Sequence, residues 1–179
     1  MFPLTFFEGW QVLLTIIISL LALLATFYQL YLQRIHNEKS LKPLGQIDLR
    51  DRGGQIYVCI ANNGMGPLIV HKLTFIKDSA QYSNIEDCLS FDPKRYKHIF
   101  INESVKKVIL PNSSLDVFAA EFEEHEGAAE RDSVKQQLSP IILKVDCKDI
   151  YDNKISFERN LEWFSRHVTK ENGRDAQNG

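Results

Sequence analysis

The chain has 179 residues, a formal net charge of −2, 44% hydrophobic residues and 25% charged residues. That length holds one soluble domain with a short remainder, and the near-neutral balance excludes the strongly basic footprint of a nucleic-acid-binding domain. The 3 cysteines, Cys59, Cys88 and Cys147, are odd in number and irregular in spacing, which excludes a disulfide framework or a CxxC motif and predicts buried thiols in a reducing compartment.

Residues 1–9 read as a short external tail. From Gly9 to Gln33 the chain contains no Asp, Glu, Lys, Arg or His and no proline. A helix of about 25 such residues crosses a hydrocarbon core of about 30 Å, so a transmembrane helix is predicted over residues 10–33. Trp10 lies at one end and Tyr28 and Tyr31 near the other, where aromatic rings favour the headgroup region. A cleaved leader would need a basic start, a shorter apolar core and a small-residue cleavage site. Here Glu8 precedes the run and Phe27-Tyr28-Gln29 ends it, which favours a retained signal anchor. Arg34, His36, Lys39 and Lys42 follow, against Glu38. Lys and Arg flanks stay on the cytoplasmic side. The expectation is a single-pass protein of the plasma membrane, N-terminus outside, folded domain in the cytoplasm. The sequons starting at Asn102 and Asn112 then remain unglycosylated in a secretory host.

Within the helix, Gln11, Thr15, Ser19, Ala22, Thr26, Gln29 and Gln33 recur every three or four residues. At about 100° per residue they share a stripe about 80° wide. Small and hydrogen-bonding side chains favour helix–helix contact in lipid, so this stripe is a candidate face for self-association or for another membrane helix. Alternatively, its Ser and Thr hydroxyls bond back to their own helix.

Residues 34–44 read as a linker with Pro43 stopping any helix that continues from the membrane. Residues 45–166 then read as a β-sandwich or small barrel of about seven or eight antiparallel strands with one short helix. Strand-like runs are Gln46–Arg50, Gln55–Ala61, Leu68–Ile76, His98–Asn102, Val105–Leu110, Leu115–Phe122, Ile141–Cys147 and Lys154–Trp163. The first three are expected to form an antiparallel meander. Helix-favouring composition follows Gly127, a helical turn is expected near Ile85–Leu89, and residues 167–179 read as a disordered tail.

Few residues nominate chemistry. Gly64-x-Gly66-Pro67 lacks the third glycine and following helix of a dinucleotide loop and reads as a glycine-requiring turn. The run Glu121-Phe122-Glu123-Glu124-His125-Glu126 alternates along a strand and reads as a solvated acidic turn rather than a metal site. Asp146, Asp149 and Asp152 flank a hairpin turn, where Asp bonds its own backbone. No catalytic motif, metal site or cofactor loop stands out, so no enzyme is expected; the remaining alternative, an enzyme of unknown type, would need paired carboxylates around Asp146 or Glu121. The segment around Lys94, Arg95 and Lys97 is locally basic and offers candidate contacts to ligand or lipid phosphate.

IYVCIANNGMGPLIVHKLTF and VDCKDIYDNKISFERNLEW resemble the opening and closing hairpins of uncharacterised bacterial single-pass membrane proteins with a cytosolic β-sandwich. These are similar in plan to membrane effectors of anti-phage systems. In that family the turn glycine after "DIY" is common; here Asp152 takes its place. The resemblance implies a cytosolic binding or interaction module for a cytosolic partner or small ligand. The alternative it implies is an antiviral effector, its β-domain sensing a ligand while its helices assemble as an oligomer to disrupt the bilayer.

Overall fold

The computed structural model describes residues 4–52, 54–102, 104–122 and 128–167. Residues 1–3, Gly53, Glu103, the segment 123–127 with His125, and the expected tail from residue 168 lie outside the described residues. The chain divides into two compact units, Met1–Leu41 and Lys42–Gly179.

The first unit is the helix α1, Leu4–Ser40. It extends past both predicted ends, into the expected tail and through most of the expected linker. Nothing between Gln33 and Ser40 breaks a helix. Arg34 Nε donates to Glu38 Oε1 at 3.2 Å one turn on, and Ser40 Oγ lies 3.2 Å from His36 Nδ1. The Leu41 amide closes the last turn on Asn37 O, and Pro43 follows. From Gly9 this helix is long and apolar enough to cross a membrane, and its side chains from Trp10 to Leu32 are exposed.

The second unit is mainly β, with nine strands among the described residues: β1 Gly45–Arg52, β2 Gln55–Asn62, β3 Leu68–Lys77, β4 Ala80–Tyr82, β5 Tyr96–His98, β6 Lys107–Ile109, β7 Ser113–Glu121, β8 Ile142–Lys148 and β9 Lys154–Asn160. They form two antiparallel sheets, ordered β1-β2-β7-β5 and β4-β3-β8-β9, with β6 also on β3. One core lies between them, with Ile56, Val58, Ile60, Val117 and Phe118 from the first sheet and Leu68, Val70, Phe75, Leu143 and Val145 from the second. The three cysteines are buried and free, Cys59 in one sheet, Cys147 in the other and Cys88 in the 3-10 turn Ile85–Cys88.

The expected three-strand meander does not form. β2 pairs with β1 and β7, whereas β3 pairs with β4, β6 and β8. The Asn63–Pro67 connection crosses between sheets, and buried Asn62 holds the crossing. Its Nδ2 donates to Gly66 O (2.8 Å) and Ile109 O (3.0 Å), and its Oδ1 accepts from the amides of Leu44 (3.2 Å) and Gly64 (3.1 Å). A Cβ on Gly64 would lie 2.3 Å from the Leu44 backbone nitrogen, so this position requires glycine.

The helix α2, Ala128–Leu138, buries Val134 and Leu138 one turn apart. Lys135 reaches back to β1, 2.9 Å from Asp51, with both side chains only 5% exposed. Arg131 also pairs with Asp51, and Asp132 lies 3.2 Å from Lys135.

Candidate functional site

The outer face of the second sheet carries an open groove of about 660 Å³ lined by His71, Lys72, Lys106, Asp146, Lys148, Lys154 and Ser156, among others. Strand alternation and one irregularity build it. Val70 pairs with Cys147 and Lys72 with Asp146, so two steps along β3 meet one step along β8. His71 is the extra residue of this bulge. A bulge bends its strand and re-aims a side chain, and here it delivers an imidazole to the groove.

Beyond the bulge the register stacks polar side chains in rows. Lys72, Asp146 and Ser156 form one row across β3, β8 and β9. Two residues along β8, on the same face, Lys148 stands directly opposite Lys154. Lys106 arrives from the segment before β6. Like charges directly opposite in an antiparallel pair destabilise it, so the Lys148–Lys154 pairing opposes folding. Lys148 Nζ lies 3.0 Å from Asp152 at the rim, and Ser156 Oγ donates to Asp146 at 2.8 Å. Among the described residues no carboxylate lies within ion-pair distance of Lys72, Lys106 or Lys154.

His71 Nε2 is buried without a hydrogen-bond partner. Burial, then the positive charges of Lys106 and Lys148, hold its pKa below the ordinary histidine value, against a smaller opposing effect of Asp152. Its neutral form is therefore favoured. The Cys147 thiol is pushed up to about 12, first by burial and then by Asp146, so it is protonated and no nucleophile at neutral pH. The arrangement suits binding of negative charge.

The residues nominated from sequence are placed elsewhere. Arg95 pairs with Glu130 and lies 5.8 Å from the Phe91 ring centroid. Lys94 and Lys97 are exposed beside a depression of about 150 Å³ that also contains Glu121. Glu121 accepts from Tyr57 Oη at 3.4 Å. Asp149 is a turn former, as read: its carboxylate accepts from the amides of Tyr151 (2.8 Å) and Asn153 (2.9 Å) and from Asn153 Nδ2 (2.8 Å). Burial alone would raise the Asp149 pKa, but the bonds from Asn153 and Tyr151 outweigh it and hold the carboxyl below its usual range. On α1, Thr15 and Thr26 donate to Gln11 O (2.9 Å) and Ala22 O (2.8 Å), the self-bonded alternative for those two hydroxyls. Among the described residues no group of three or more His, Cys, Asp or Glu side chains is arranged to hold a metal.

No known family model matches the chain, and comparison with curated proteins finds no significant match.

Proposed function

We propose that this protein is a membrane-tethered binding module: α1 anchors it in the bacterial inner membrane, and the β-sandwich is held in the cytosol to engage a ligand or partner. The observation that carries this reading is the charge-free, exposed run of α1 from Gly9 to Gln33, followed by Arg34, Lys39 and Lys42. We read the domain as a binder rather than an enzyme, because Asp149 is engaged in its own turn and Cys147 is protonated.

The test is alkaline carbonate extraction with glycosylation mapping in microsomes. The full-length chain is expected to stay with the membrane, with Asn102 and Asn112 unmodified and a sequon added at the N-terminus modified. Release of a shortened chain identifies α1 as a leader and overturns the tether. Glycans on Asn102 or Asn112 overturn the orientation.

A second reading, that copies associate through α1 to disrupt the bilayer, rests on the alignment of Gln11, Ser19, Ala22, Gln29 and Gln33. The bonded hydroxyls of Thr15 and Thr26 weaken it without touching the glutamines.

A further inference from the structure

Among the described residues the lining of the His71 groove contains four lysines and no arginine. Lysine is a compact point charge that binds phosphate without the planar fork with which arginine matches a carboxylate. Among the described residues Asp146 is the only carboxylate of the lining, and Ser156 already bonds it. Among the described residues Lys72, Lys106 and Lys154 have no ion-pair partner, and only Asp152 at the rim offsets the Lys148–Lys154 repulsion. A volume of about 660 Å³ is within the range of small-ligand sites. His71 lines the groove beside these lysines, and its Nε2 is buried without a hydrogen-bond partner, so the bulge leaves a polar group unsatisfied next to the lysine charges.

We propose that this groove binds a small, multiply charged anion through its phosphate groups, with Lys72, Lys106, Lys148 and Lys154 supplying the charge and His71 a hydrogen bond. This names the ligand class of the binding module and rests on that reading. The protonated imidazole donates through a ring N–H. Burial and then the charges of Lys106 and Lys148 disfavour that proton and Asp152 favours it; an anion among the lysines offsets their charges. Occupancy therefore raises the His71 midpoint, and by linkage binding tightens as pH falls.

The experiment uses the full chain in nanodiscs of phosphatidylcholine, with inorganic pyrophosphate as probe and the His71 imidazole resonance as readout, assigned by its loss in His71→Gln. Pyrophosphate is expected to move that resonance, raise its midpoint and bind at least tenfold more weakly to the Lys106→Ala/Lys154→Ala variant. His71→Gln is expected to retain some affinity and to lose the tightening at low pH that His71 contributes, leaving only the pH dependence of the probe's own charge. A second arm replaces part of the lipid with phosphatidic acid and omits pyrophosphate. A raised midpoint there, lost in the double lysine variant, supports the site and assigns the phosphate to a lipid headgroup. If neither probe moves His71 while circular dichroism shows the native fold, the proposal falls. It falls equally if the double variant binds pyrophosphate as well as the parent. The tether is judged separately by carbonate extraction, so the two failures are distinguishable.

Discussion

Asn62 uses both ends of its amide to tie the entry to β1, the inter-sheet crossing and the end of β6 together. Truncation strands buried donors and acceptors, so Asn62→Ala is expected to cost about 3 kcal/mol of unfolding free energy, measured by urea denaturation. A cost below about 1 kcal/mol would mean that water replaces the amide there. The dense turn signal around Asn62 was legible in the sequence, but the partner at Ile109 lies 47 positions away, beyond any local pattern. Asp152 adopts a left-handed φ of 65°, which Asp tolerates better than most residues. Burial tends to raise the Asp51 carboxyl, but Arg131 and Lys135 outweigh it and hold the pKa below the usual range. A carboxylate depressed in the folded state stabilises above its unfolded pKa of about 3.9, and that stabilisation is lost as pH falls through the folded value. Asp51→Asn is therefore expected to cost about 2 to 3 kcal/mol near neutral pH, with the difference shrinking steadily below about pH 4. A cost that does not change with pH would remove charge from the explanation.

The elements with strong periodicity or composition were legible: α1, α2, the strands flanking clear turns, and the β8–β9 hairpin. β4 was not, because only Ala80–Tyr82 pair and the turn that starts them is Asp78-Ser79. Both residues have positive φ, the type I′ geometry usually signalled by Asn-Gly or Asp-Gly. The continuation of α1 to Ser40 shows that charge marks the end of a membrane run without ending a helix. For the stripe on α1, single cysteines at Ser19, Ala22 and Thr26 are expected to crosslink in native membranes if that face self-associates, and those at Ile17, Leu20 and Leu24 are not. Equal yields on both faces, or none on either, would reduce the helix to a tether.

Across the whole molecule, the sequence made the fold class readable but not the groove. Its side chains come from β3, the segment before β6, β8 and β9, and the sheet order brings them together. Alternation along Asp146, Lys148, Lys154 and Ser156 was a signal that could have placed half the site on one face. The bulge that presents His71 leaves no such trace. The domain's burial of its sulfur has a separate experimental use. Burial raises the pKa of Cys59, pushes Cys88 up to about 11 and Cys147 up to about 12, so the folded domain is nearly silent toward alkylating reagents. Each thiol becomes reactive only when its own neighbourhood opens. Cys59 and Cys147 therefore serve as native chronometers for the two sheets, and the order in which they are labelled in dilute denaturant reveals which half of the sandwich separates first.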